Sequence, residues 1–175
     1  MTLTVFRLGK RRYGDQLFSG LGGLYAHSRW APLGRPVVYT SGSISLAVLE
    51  YTVNYRRRGW IPASVLGRAT LPARIRIESV LLKTLPANWS RADPPVELQE
   101  IGAEWLERGT AAVLKVPSAI VTEEWNYLLN PLHPAFRTIK LSVAEPSATR
   151  FPYEFSMAKW RDRARTEVST LDDGS

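Results

Sequence analysis

The sequence predicts an α+β domain, a mixed α/β arrangement rather than a doubly wound sheet. Three observations support this. Strand-like and helix-like segments are interspersed without a regular βαβ alternation. The 175 residues, 45% hydrophobic and 10% aromatic, suit one domain with one main core. No internal repeat or linker divides the chain.

The elements follow in order. Thr2 to Leu8 alternates and is rich in Val and Phe, which predicts a first strand. Tyr13 to Gly23 is glycine-rich and leads into Leu24 to Trp30; such a loop lets backbone approach a ligand. Pro36 to Thr40 reads as a short apolar strand. A helix is expected next, capped by Ser41 or Ser43 and running to about Tyr55. Its apolar face is read as Ile44, Ala47, Val48 and Tyr51, widened by Leu46 and Leu49. Arg56 to Arg58 suit the negative end of that helix, and Gly59 is its expected stop.

Arg68 to Lys83 alternates in parts, as at Arg74-Ile75-Arg76-Ile77. Pro72 makes it an edge strand or two short strands. Pro86 to Pro95 reads as a loop. Glu97 to Arg108 reads as a helix with Leu98, Ile101, Trp105 and Leu106 on one side and Gly109 at its end. Ala111 to Val116 is a buried strand closed by Pro117-Ser118. Thr122 to Asn130 reads as a polar segment ending in an Asn130-Pro131 turn. Arg137 to Val143 is a late strand. Ala158 to Val168 reads as a helix, and Leu171 to Ser175 as loose chain.

Composition excludes several classes. Without cysteine there is neither a disulfide nor a thiolate zinc site, and His27 and His133 form no HExxH pattern. No metal is expected, and only an all-oxygen site stays open. No apolar run approaches a membrane span. The N-terminal basic residues follow the apolar ones, the reverse of a secretory signal, so a cytoplasmic protein is expected. The net charge of +7 would attract an anion: nucleic acid, a phosphate-bearing small molecule or an acidic protein. Gly20 to Tyr25 (GLGGLY) lacks the GxGxxG pattern, and there is no phosphate-binding GxxxxGK[ST] loop and no nucleophile elbow.

Two stretches carry candidate chemistry. In the first, Arg29 follows the glycine-rich loop, Tyr39 ends an apolar strand and Glu50 lies in a mostly apolar helix. A carboxylate beside Leu46, Ala47 and Leu49 wants a partner or a task, though an exposed helix residue fits the periodicity equally. Arg29 could equally form a structural ion pair, and Tyr39 could be a core aromatic with a wet hydroxyl. In the second stretch, Ser118 follows a strand and a proline, where a hydroxyl can face a cleft or simply close a turn. Asn126, Asn130 and His133 also read as loop hydrogen-bonders.

Together these pieces resemble the RES-domain toxins, the toxin halves of bacterial RES–Xre toxin–antitoxin pairs. The Arg, Glu and Ser of the family name match Arg29, Glu50 and Ser118. The matching segments are the glycine-rich loop into Arg29-Trp30, PVVYTSGSISLAVLE at Pro36 to Glu50, IGAEWL at Ile101 to Leu106, VPSAIV around Pro117, and EEWNYLLNPLHPAF ending at Phe136. They keep the family's order from about Phe6 to Val143. The sequence departs from the pattern at Ser28, where a glycine often precedes the arginine. It departs again near Ser156, where an acidic residue is usual.

The resemblance implies a fold related to ADP-ribosyltransferase toxins, a compact β core flanked by helices. The RES domain would occupy 1–160, with a charged tail, partly helical or disordered, at 161–175. It implies a toxin that cleaves the nicotinamide–ribose bond of NAD+ by hydrolysis or phosphorolysis, NAD+ being a substrate and no cofactor being needed. Glu50, Arg29 and Tyr39 would be catalytic, and Arg29, Tyr39, Ser118 and Asn126 would bind NAD+. In this scheme Glu50 stabilises an oxocarbenium-like ribose, Arg29 holds the pyrophosphate or ribose side, and Tyr39 presents its ring to nicotinamide. Ser118 orients the ligand or Glu50. The implied partner is an Xre-type antitoxin with a helix-turn-helix domain that covers the active site and makes any DNA contact; no membrane is involved. An alternative is a mono-ADP-ribosyltransferase acting on one host protein. A basic RNA-binding or ribonuclease-like toxin is another, resting on the +7 charge and six tryptophans. Most of those tryptophans sit in apolar patterns, where core packing is the simpler account.

Overall fold

The computed structural model describes residues 2–56 and 63–144. Among these residues seven strands form one mixed sheet: β1 (Leu3–Lys10), β2 (Val38–Ser41), β3 (Ser64–Leu71), β4 (Ile77–Ser79), β5 (Val113–Pro117), β6 (Trp125–Leu129) and β7 (Lys140–Val143). Two α-helices accompany them, α1 (Ile44–Arg56) and α2 (Glu97–Arg108). The strand order is β4-β5-β6-β2-β1-β3-β7. Only the β4–β5 pair is parallel. The expected α+β class is what the chain adopts.

Side chains alternate across the sheet, so register assigns each residue to a face. Phe6 pairs with Ser41, and Ser41 with Asn126; Tyr39 pairs with Leu128, and Leu128 with Leu114. These share one face. Over it α2 buries Leu98 and Trp105 against Leu114, Val116 and Leu128, with Trp30 and Val37. On the same face α1 sets Ala47 against Leu8 and Leu66. The opposite face carries Val5, Val38, Ala69, Val113 and Leu129, covered by Leu17, Phe18 and Ile139. The two helices therefore flank the β2–β6 region of a single sheet face.

Helix α2 matches its expected limits. Gly109, in left-handed conformation with φ 57°, ends it by returning its N–H to the Trp105 carbonyl. Gly102 has a different purpose. A Cβ there would stand 1.5 Å from the Trp30 carbonyl oxygen. Only glycine lets α2 lie this close to the segment that carries Arg29.

Several expectations need correction. The stretch Thr122 to Asn130 is not merely a polar approach to a turn: it contains β6, an interior strand paired with β2 and β5. Leu and Asn are modest strand formers, and two flanking strands override that preference. On α1 the expected Leu46, Ala47, Val48 and Tyr51 pack inward, whereas Ile44 and Leu49 are exposed. The apolar stripe is narrower than expected, and Glu50 shares its inward side. Of the two readings of Arg68 to Lys83, the two-strand one holds: β3 stops at Leu71 before Pro72 and β4 begins at Ile77 as an edge strand, while Arg74 to Arg76 form no strand. β3 itself is interior, since β7 pairs along it. Of the two serines offered as caps, Ser43 caps α1 by accepting the Leu46 N–H at 3.1 Å. Arg57 to Gly59, Ser156, the Ala158 to Val168 helix and the 161–175 tail lie outside the described residues. No helix among the described residues is long and apolar enough to cross a membrane.

Candidate active site

The site forms where α1 meets the β5–β6 ends. Glu50 lies on the turn of α1 after Leu46 and Ala47, so helical spacing brings it to the inward side. Ser118 directly follows β5 and is fully buried. Its hydroxyl oxygen accepts the N–H groups of Ile120 and Val121, each at 3.1 Å. With its acceptor side occupied, the hydroxyl proton is directed outward and goes to Glu50 Oε1 at 2.9 Å.

Asn126 supplies a second donor. It sits opposite Ser41 in the β2–β6 ladder. Ser41 Oγ donates to Asn126 Oδ1 at 2.8 Å, which turns the amide so that Nδ2 donates to Glu50 Oε1 at 2.5 Å. Both donors thus converge on one carboxylate oxygen. Among the described residues, Oε2 accepts no hydrogen bond.

Arg29 approaches from the irregular segment before β2. Its Nη1 donates to the Trp89 carbonyl at 2.6 Å and its Nη2 to the Arg91 carbonyl at 2.8 Å. These partners are backbone oxygens in the 86–95 loop, not the ion pair that a structural arginine would have. Burial disfavours the guanidinium charge and lowers its pKa, while the charge of Glu50 opposes that shift. The cation and the carboxylate therefore feel each other's field.

Tyr39 meets the site through its hydroxyl. It donates to Ser28 Oγ at 2.7 Å and accepts the Trp30 N–H at 3.2 Å. Burial pushes its pKa up to about 12, despite the counteracting hydrogen bonds with Ser28 and Trp30. The phenol is a neutral donor at physiological pH, and its hydroxyl is not the wet group that a simple core aromatic would present. Its ring packs against the Trp30, Val37 and Leu128 cluster.

The structure thus brings Glu50, Ser118 and Asn126 into direct contact. It couples Arg29 to Glu50 electrostatically and ties Tyr39 to the residues either side of Arg29. Asn130 and His133 stay outside this group. Asn130 Oδ1 accepts the Leu132 N–H, and His133 caps a short 3-10 turn at Pro134–Thr138. Sequence reasoning gave no site role to Ser41, offered only as a cap, or to Ser28, noted only as a departure, and it missed Gln99, whose Nε2 donates to the Ser28 carbonyl at 3.1 Å, and the two carbonyls on Arg29. Strand alternation from Tyr39 could have found Ser41. The carbonyls leave no sequence signal at all.

Comparison with known proteins finds similar sequences and a similar fold. The RES domain family model matches residues 4–155. A protein named Toxin Res from Photorhabdus laumondii is 35% identical over 142 residues, covering 79% of this chain and 90% of that protein. The Prs ADP-ribosylating toxin of a Sphingobium species is 33% identical over 146 residues, covering 80% and 89%. The crystal structure of the M. tuberculosis MbcT–MbcA toxin–antitoxin complex contains a chain with the same fold. It superposes with a TM-score of 0.63 at 14% identity, covering 85% of this chain and 87% of that one.

Proposed function

This chain belongs to the RES-domain family, and from that premise we propose that it is the toxin of a toxin–antitoxin pair and cleaves the nicotinamide–ribose bond of NAD+. The observation that carries the reading is the Glu50 carboxylate. One of its oxygens is held by Ser118 and Asn126, the other accepts no hydrogen bond among the described residues, and the Arg29 cation lies within its field.

NAD+ already bears a cationic nicotinamide, so bond cleavage needs little acid catalysis. The C–N pair leaves with nicotinamide, and positive charge develops on the ribose. A pre-oriented carboxylate stabilises that charge directly or through the ribose 2′-hydroxyl. Ser118 and Asn126 fix the carboxylate without occupying both oxygens. Arg29 uses two of its five N–H donors on carbonyls, leaving donors and charge for a pyrophosphate or ribose oxygen. The acceptor oxygen bonds to the ribose carbon; water then releases its proton to solvent, whereas a phosphate dianion attacks through an oxygen that carries no proton.

A second reading has a specific observation behind it: the Sphingobium relative is named for ADP-ribosylation. The same cleavage with a protein side chain as acceptor would make this chain a mono-ADP-ribosyltransferase. Both readings place the chain in the cytoplasm beside an Xre-type antitoxin that covers the site and supplies any DNA contact. The net charge of +7 suits an anionic substrate and an acidic partner segment.

The test is nicotinamide release from NAD+ by purified, antitoxin-free protein, with and without inorganic phosphate. Release by the wild type and not by Glu50→Gln supports the cleavage reading, and phosphate dependence separates phosphorolysis from hydrolysis. Release only when cell extract is added, with ADP-ribose on a protein, selects the transferase reading. No release under any of these conditions overturns both.

A further inference from the structure

We infer that Ser28 is a positioning residue that sets, through Tyr39 and the main chain of Trp30, where the Arg29 guanidinium stands. The inference rests on the reading of Arg29 as the group that holds the dinucleotide.

Arg29 lies in a stretch without helix or strand, between the turn at Leu21–Leu24 and β2. Main-chain position in such a stretch is set by the hydrogen bonds its neighbours make. Both neighbours of Arg29 are tied by one phenol. The Tyr39 hydroxyl donates to Ser28 Oγ at 2.7 Å and accepts the Trp30 N–H at 3.2 Å. Tyr39 stands on β2, an interior strand, so this clasp is rooted in the sheet.

The serine hydroxyl is fully engaged. It donates to the Ala31 carbonyl at 2.9 Å and accepts the Ala31 N–H at 3.2 Å together with the Tyr39 proton. One donor and two acceptor sites are all that a hydroxyl has. The Ser28 carbonyl accepts from Gln99 of α2, and Gly102 brings the same helix against the Trp30 carbonyl. Ser28 and Trp30 are therefore held from the sheet on one side and from α2 on the other. The guanidinium projects from between them to the Trp89 and Arg91 carbonyls.

Nothing in the backbone asks for glycine at this position: among the described residues no non-glycine residue has positive φ. A residue without a hydroxyl at position 28 would take away the acceptor of the buried Tyr39 proton and release one side of the clasp. In this reading Ser28 does not touch NAD+. Its effect passes through Arg29, so it bears on substrate binding more than on the bond-breaking step.

The experiment compares wild type, Ser28→Ala, Ser28→Thr, Tyr39→Phe and the Ser28→Ala/Tyr39→Phe double variant. Steady-state nicotinamide release gives KM and kcat, and amide hydrogen exchange is followed at residues 29–31. Ser28→Ala is expected to raise KM for NAD+ about tenfold while kcat changes by less than about threefold. The Trp30 amide should exchange faster in Ser28→Ala and in Tyr39→Phe. The double variant should lose less than the product of the two single losses, because both changes remove the shared Tyr39–Ser28 bond. Ser28→Thr, which keeps a hydroxyl, should return KM toward wild type.

Unchanged KM and unchanged Trp30 exchange in Ser28→Ala overturn the inference. So do single-variant losses that simply multiply in the double variant. A parallel fall of kcat with faster exchange throughout the protein overturns it too, by showing general destabilisation. If the wild type releases no nicotinamide, the functional reading fails. Exchange at Trp30 then still decides whether Ser28 and Tyr39 clamp the Arg29 segment.

Discussion

Ser118 Oγ donates to Glu50 Oε1 at 2.9 Å, joining the end of a strand to a helix 68 positions earlier in the chain. The two backbone N–H groups on the serine oxygen leave its proton one direction to take. Asn126, oriented by Ser41, reaches the same carboxylate oxygen. The carboxylate is therefore pre-oriented by groups that are themselves fixed, which is what electrostatic stabilisation of a developing charge requires.

Replacing Glu50 with Gln keeps the side chain's size and removes its charge. Nicotinamide release should fall by about 10²–10³-fold or more, the loss typical of removing one stabilising group. Circular dichroism and the melting temperature should stay close to wild type. Activity within about twofold of wild type would remove Glu50 from the chemistry.

Ser118→Ala should affect both stability and turnover. It leaves the Ile120 and Val121 N–H groups without their acceptor and Glu50 without one donor. Loss of these buried bonds costs about 1–3 kcal/mol, and about 2–4 °C of melting temperature per kcal/mol is expected in a chain of this size. A thermal melt beside a kcat measurement checks both effects, and kcat should fall even at temperatures where the variant is fully folded.

Gly102→Ala should be more harmful than a helical glycine-to-alanine change usually is. On an open helix face alanine would stabilise by up to about 1 kcal/mol. Here the new Cβ would meet the Trp30 carbonyl at 1.5 Å, so the helix and the Arg29 segment must part. Net destabilisation of about 1–3 kcal/mol and a raised KM for NAD+ are expected. A melting temperature equal to or above wild type would contradict this close approach.

Tyr39 predicts an alkaline weakness. Burial raises its pKa to about 12, above the ordinary 10. A raised folded-state pKa means that stability is fully present below pH 10 and is lost as pH rises toward 12. Tyr39→Phe, though less stable at neutral pH, should lose less additional stability across that window. Denaturant melts at pH 8, 10 and 11 on both proteins check this, and equal alkaline losses would show that Tyr39 ionises as readily folded as unfolded.

Much of the site was legible before folding was considered. Arg29, Glu50 and Ser118 were picked out by the family resemblance, and helix α2 with its Gly109 stop was readable from periodicity and cap chemistry. The glycine at 102 was not, because its reason is a carbonyl 72 positions earlier. Strand β6 was hidden by Asn126, a polar residue in an interior strand. Its side chain faces the Glu50 carboxylate rather than water, so local polarity pointed the wrong way.

By itself the sequence determined the α+β class and the family and, through the family resemblance, which residues to propose for the site. These depend on residue type, spacing and chain order, which are local or additive. Only the tertiary structure decided which way α1 turns, how Asn126 points, what Arg29 holds and that the Tyr39 hydroxyl clasps Ser28 and Trp30. Each of those depends on hydrogen bonds between residues far apart in the chain. Satisfying buried polar groups is a condition on the whole fold, and no single segment carries it.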